Sequence, residues 1–249
     1  GIGSLGAIGG IIVAQIAVMY FLLYRTKYSL NLSTCSNIYV LQKGMIKKEL
    51  IYGVLVLFAS GLVTFMYTSD VLIVKHLFNL HDAGLYSGIS AIAKIVFFII
   101  GPTIGVLLST VKLENTSRDN SRILVKSLGV SLFLGGVVLL VFYAFGDITI
   151  RVLLGSEYSR FGYLLPKVGI VMLLSALLNV FVYYFLALRR FFLIGLSVVG
   201  VLCITLLLLL KHNNIDSILN GLILSLSILI TIFLIFHVKN YFNRSTSLQ

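Results

Sequence analysis

Seven runs of nearly unbroken apolar residues, at 5–24, 50–74, 84–111, 125–146, 163–188, 191–210 and 216–238, are separated by short polar punctuation. Each run meets the roughly 20 residues that a helix needs to cross a hydrocarbon layer of about 30 Å. The runs are continuous and do not alternate, so they predict helices and exclude the strands of a membrane barrel. A helix also satisfies its own backbone hydrogen bonds in lipid, which a lone extended segment cannot do. The pattern therefore predicts an all-α membrane protein with seven transmembrane helices.

The punctuation organises these spans. The longest connection, 25–49, is polar and basic, and the tightest is Arg189 with Arg190. This divides the chain into a first helix (1–24), a basic linker (25–49), a six-helix bundle (50–240) and a short tail (241–249). MIKKEL before the second span and RDNSRILVK before the fourth are read in two ways. They are amphipathic lead-ins lying at the headgroups, or ordinary basic flanks of a span. Pro166 falls near the start of a span, where its missing N–H costs little, whereas Pro102 falls inside the third and predicts a kink. Gly6 with Gly10 and Gly101 with Gly105 have the spacing that allows close helix packing.

Composition agrees with lipid as the solvent. Apolar residues make up 59% of the 249, charged residues 11%, and mean hydropathy is +1.08, more apolar surface than one soluble core could hide. The net charge of +11 points to nucleic acid only if the basic residues cluster without regard to the spans. They do not. With the first residue outside, 13 of the 19 Lys and Arg fall on inner segments, 5 on outer segments or span edges, and Lys94 lies within a span. That bias sets an orientation with the C-terminus in the cytoplasm and attracts anionic membrane lipid, with no nucleic-acid partner. Cys35 and Cys203, on an inner loop and in a span, give no disulfide framework. The four His are scattered, so no metal site is expected. Residue 1 is Gly, and the chain is expected to be part of a longer protein.

The polar groups inside the spans carry the candidate chemistry, because each costs free energy there. Lys94 is near the middle of 84–111, too deep to reach either surface, and a central Lys costs about 2.5–3.5 kcal/mol on insertion scales. At helical spacing Ser87, Ser90, Gly101 and Gly105 fall within about 40° of it. Ile92, Val96, Ile99 and Ile100 take the opposite side, which is expected to face lipid while the Lys94 side lines a wet cavity. Asp70 stands in TSDVLIVKHLF towards the outer end of the second span. It is read as a partner for Lys94, a proton relay or part of a Na⁺ site, or else as a solvated interfacial carboxylate. Ser175, Asn179 and Tyr183 share a face of the fifth span, and Gln15 lies in the first. No Ser/His/Asp grouping, paired carboxylates, P-loop or HExxH motif occurs, and the outer connections are short. Both features weigh against an enzyme such as a membrane glycosyltransferase or polymerase.

Two stretches resemble a known family. SDVLIVKHLFNLHDAGLYSGISAIAKIVFFIIGP (69–102) and LLGSEYSRFGYLLP (153–166) resemble segments of the polysaccharide (O-antigen-type) flippases of the multidrug/oligosaccharidyl-lipid/polysaccharide exporter superfamily. In that pattern an Asp-bearing helix leads through a short outer turn into a Gly-Leu-Tyr-Ser opening and a Lys-bearing helix. A Gly-x-Glu-Tyr outer turn follows later. Asp70, Gly84, Leu85, Tyr86, Ser87, Lys94, Gly155, Glu157 and Tyr158 are the matching positions. The resemblance implies that 50–240 is the carboxyl-terminal lobe of a two-lobed carrier and that the first span is the last helix of an amino-terminal lobe otherwise missing. It implies a bacterial inner-membrane protein that flips polyprenyl-pyrophosphate-linked oligosaccharide for O-antigen, capsule or lipopolysaccharide assembly, beside a polysaccharide polymerase and chain-length proteins. Lys94, Asp70, Ser87, Ser90 and Asn179 become the substrate-binding candidates. No cofactor is implied beyond a coupling H⁺ or Na⁺. A drug/cation antiporter of the same superfamily is the nearest alternative, with a cavity expected to be richer in acidic groups.

Overall fold

A computed structural model describes residues 2–29, 43–190, 195, 200 and 214–245. The regular structure described is entirely helical: α1 (Ile2–Ser29), α2 (Lys43–Leu77), α3 (Leu80–Thr110), α4 (Ser117–Leu153), a 3-10 segment (Ser156–Leu164), α5 (Leu165–Ala187) and α6 (Ile215–Ser245). Five stretches within them are long and apolar enough to cross a membrane: Val56–Leu77, Leu80–Thr110, Ser117–Leu153, Phe161–Ala187 and Ile215–Lys239. A shorter apolar stretch, Ile12–Leu22, lies in α1. These features make the chain an α-helical, multi-pass membrane protein. The span expected at 191–210 lies outside the described residues, apart from 195 and 200, as do Cys35, Cys203, most of the linker and the last four tail positions.

The chain divides into two compact units, Gly1–Tyr52 and Gly53–Gln249. In the first, α1 exposes Val13, Tyr20 and Phe21, apolar surface that suits lipid or a partner better than water. In the second, α5 is the central helix. Of its most apolar stretch 78% is buried, against 17% for α4. Its apolar residues run nearly all round, with Ser175 and Asn179 buried among them, the pattern of a largely enclosed helix. Phe181 and Phe185 of α5 meet Phe233 of α6 with ring centroids 6.0 and 5.6 Å apart. Glycine sets the distance between α4 and its neighbours. A β-carbon at Gly135 would come within 2.5 Å of Leu173 Cδ1, and one at Gly169 within 2.6 Å of Leu139 Cδ2. These two positions make the close approaches that sequence spacing assigned to Gly10, Gly101 and Gly105, around which a β-carbon would meet nothing within 4 Å. The side-chain surroundings of Gly6 lie outside those described.

Local sequence explains where the helices begin and end. Asn79 caps α3 by accepting from the Asp82 amide at 2.8 Å while its own amide donates to Asp82 Oδ2 at 2.9 Å. Thr116 and Asp119 make the same pair at the start of α4, and each cap satisfies one amide that a helix start leaves orphaned, that of Asp82 or Asp119. Asn115 and Asn120 close the α3–α4 connection by donating to the Thr110 and Lys112 carbonyls at 2.9 and 2.8 Å. Pro166 occupies the first turn of α5, as its missing N–H favours. The α5 end is a Schellman turn: Arg189 takes φ +53°, Arg190 N–H donates to Phe185 O at 2.9 Å and Arg189 N–H to Leu186 O at 3.0 Å.

α3 continues through Pro102 to Thr110, and a dihedral break falls in α4 at Phe145 (φ −128°, ψ 22°). The fourth run was expected to end at 146; the break lies one residue earlier, and the helix resumes to Leu153. MIKKEL and RDNSRILVK belong to the first turns of the continuous helices α2 and α4.

Candidate functional site

The seam between α2 and α3 gathers most of the polar candidates. Asp70 is 1% exposed, and its Oδ2 accepts from Tyr86 Oη at 2.9 Å and from Ser90 Oγ at 2.7 Å. Tyr86 and Ser90 are four residues apart on α3, hence on one face, and both are fully buried. This removes the reading of Asp70 as a solvated interfacial carboxylate. Asp70 Oδ1 is buried and receives no side-chain hydrogen bond.

Lys94 does not pair with Asp70. The ion pair found among the described residues joins Lys167 to Asp216. Ser90 and Tyr86 reach the carboxylate, while Lys94 stands one further turn along the same helix, about 6 Å beyond Ser90, and is partly exposed. Its Nζ stands 5.8 Å from the centroid of the Tyr67 ring, within cation–π range. Tyr67 in turn packs on Phe97 and Phe98 with centroids 4.6 and 5.8 Å apart. The outward surface of this seam mixes apolar and small residues: Ile95 and Phe98 are exposed at 45% and 59%. Gly61 and Thr64 of α2 and Gly101 and Gly105 of α3 are exposed, and Thr68 and Ser87 partly so. Thr64 and Thr68 return their hydroxyl protons to the carbonyls of Ser60 and Thr64 at 3.0 and 2.6 Å, and Ser87 bonds to Gly84 O at 2.7 Å.

The opposite side of α3 is corrected. Ile92, Val96 and Ile100, expected to meet lipid, are buried at 6%, 0% and 0% exposure, and of that group Ile99 is the exposed one at 40%. The apolar face of α3 is the one packed into the bundle, and the Lys94 side looks out of it.

The remaining candidates lie apart from this seam. Asn179 and Ser175 are buried in α5, where Asn179 Oδ1 and Ser175 Oγ have no hydrogen-bond partner, as is also true of Ser131 Oγ in α4. Tyr183 Oη comes within 3.5 Å of Ser60 Oγ. Among the described residues no three His, Cys, Asp or Glu side chains converge on a common point. Sequence reasoning missed Tyr86 as a partner of Asp70, although its i, i+4 spacing to Ser90 was legible. It also missed Tyr67, for which no sequence signal exists.

The two stretches that carry the family resemblance meet in space. Tyr158, in the 3-10 segment, lies against α3 so closely that a β-carbon on Gly88 would stand 2.6 Å from its Cε1. Gly155 starts that segment at φ +98°, a conformation that favours glycine.

The chain matches no family model, no curated protein and no solved structure. The resemblance of 69–102 and 153–166 to the flippases thus rests on those residues alone.

Proposed function

We propose that the chain is the carboxyl-terminal portion of a bacterial inner-membrane carrier that flips polyprenyl-pyrophosphate-linked oligosaccharide units for surface polysaccharide assembly. The observation that carries this reading is Lys94: a partly exposed ammonium in mid-helix beside the Tyr67 ring. Such a group attracts a pyrophosphate as a point charge. The glycines and threonines around it leave room for polar sugars, and the polyprenyl tail remains in the bilayer. In carriers of two lobes the substrate site lies at the interface near the midplane, and one lobe rocks against the other. On this reading 50–240 is one lobe, the amino-terminal lobe supplies the opposite wall, and the polymerase and chain-length proteins act on what is delivered. The first residue lies outside and the C-terminus in the cytoplasm.

Asp70 is the group for coupling to H⁺ or Na⁺, with Tyr86 and Ser90 holding Oδ2. The same carboxylate favours a second reading, a drug/cation antiporter, in which Asp70 and not Lys94 governs transport.

The test uses the full-length protein. Lys94→Ala abolishes surface polysaccharide while membrane insertion is intact, and Lys94→Arg retains part of it. Normal export by Lys94→Ala would end the flippase reading. Loss of drug efflux in Asp70→Asn with export unchanged would favour the antiporter.

A further inference from the structure

We propose that the groove between the start of α4 and the end of α6 binds an anionic phospholipid, with the phosphate held by Arg118, Arg122 and Lys126. The groove is a cavity of about 550 Å³ lined by these three residues with Ser121, Val125, His237 and Val238. The spacing of four places the three cations on one face of α4, about 6 Å apart along its axis. All three are exposed, and none makes an ion pair among the described residues. Like charges at i, i+4 repel, so a bound phosphate relieves a repulsion that the fold leaves uncompensated. The nearest acid on the helix, Asp119, is engaged with Thr116 at the cap.

Ordinary basic flanking of a span gives scattered charges in free water. Here the charges stand over a concavity with apolar walls, between two helices that end at the same membrane surface, the setting in which anionic headgroups bind. The face continues in a way that fits a lipid better than a free anion. Beyond Arg122, the positions within about 40° of it on α4 are Gly129, Phe133, Gly136 and Leu140. A β-carbon at Gly129 or Gly136 would meet nothing within 4 Å, so the track along the helix is open. It leads to an apolar hollow of about 540 Å³ lined by Phe133, Gly136, Val137, Leu140, Tyr143 and Pro166. From Lys126 to Gly136 the helix rises about 15 Å, half of a hydrocarbon layer of about 30 Å. That is the depth one leaflet gives an acyl chain. The site is independent of what the protein carries.

The test titrates the purified full chain in neutral detergent with phosphatidylglycerol and with phosphatidylcholine, reading bound lipid by native mass spectrometry. Phosphatidylglycerol is expected to bind in preference to phosphatidylcholine. Arg118→Gln/Arg122→Gln is expected to weaken it roughly tenfold to thirtyfold. Lys75→Gln/Arg151→Gln, which removes the same charge from exposed positions elsewhere, is expected to change it less than about twofold. Gly136→Leu, which blocks the track and leaves the cations, is expected to weaken lipid binding as well. Equal losses in the two double variants would overturn the proposal, because attraction would then follow net charge alone. Displacement of the lipid by inorganic phosphate, with Gly136→Leu binding normally, would overturn it in favour of a free-anion site.

Discussion

Tyr86 Oη donates to Asp70 Oδ2 at 2.9 Å between side chains that are 0% and 1% exposed, so the hydroxyl of one helix answers the carboxylate of the next. Removing that donor leaves Asp70 with Ser90 as its remaining side-chain donor. A buried acceptor stripped of a partner costs about 1–3 kcal/mol. Tyr86→Phe is therefore expected to lower the thermal unfolding midpoint of the purified protein in detergent. Asp70→Ala is expected to cost less in the Tyr86→Phe background than alone, since contacting residues couple. Strictly additive losses would show that the bond contributes nothing.

Gly88 is held small by Tyr158. Gly88→Ala puts its new methyl 2.6 Å from the ring and 3.3 Å from Leu154 Cδ1, and overpacking of this kind costs about 1–3 kcal/mol. The expected result is a lowered midpoint that Tyr158→Ala partly restores in the double variant. If Tyr158→Ala and Gly88→Ala add without rescue, the 3-10 segment does not rest on α3.

Lys167 holds both carboxylate oxygens of Asp216 at 2.7 Å, yet the two side chains are 36% and 42% exposed. Solvent screens such a pair, and its contribution is expected to be about 0.2–1 kcal/mol. Lys167→Ala should shift the unfolding midpoint little, and raising the salt should erase the remaining difference from the parent protein. A large loss that persists in high salt would contradict this.

Topology is open to direct labelling. Leu113, in the α3–α4 connection, and Ser156, at the start of the 3-10 segment, are both exposed and lie at opposite ends of α4. With the native cysteines replaced by serine, Ser156→Cys is expected to react with an impermeant thiol reagent added to intact cells, and Leu113→Cys only after lysis. The reverse pattern would invert the proposed orientation.

What was legible in the sequence follows from what lipid demands of a chain. Apolar runs gave five of the expected spans because hydropathy reports desolvation directly. The start of α5 follows from Pro166, and the caps at Asn79 and Thr116 are written in the chain as Asn-x-x-Asp and Thr-x-x-Asp. Periodicity also separated the Lys94 side of α3 from the side of Ile92, Val96 and Ile100. It could not say which side faced out, because lipid tails and a helix core are equally apolar. Of the roles open to Asp70, opposite charge suggests a pair with Lys94, but the hydroxyls of Tyr86 and Ser90 are the groups that reach its carboxylate. The close approaches at Gly135 and Gly169 depend on which helices touch, which spacing within a single helix does not encode.

The enclosure of α5 changes how loss-of-function substitutions along it should be interpreted. Ser175 and Asn179 are enclosed by the neighbouring helices, so a defective variant at either reports first on whether the bundle assembles. Genetic screens that score only an absent phenotype would crowd α5 with hits. Positions on the outer side of α3, where a changed side chain leaves assembly undisturbed, would be the more informative ones.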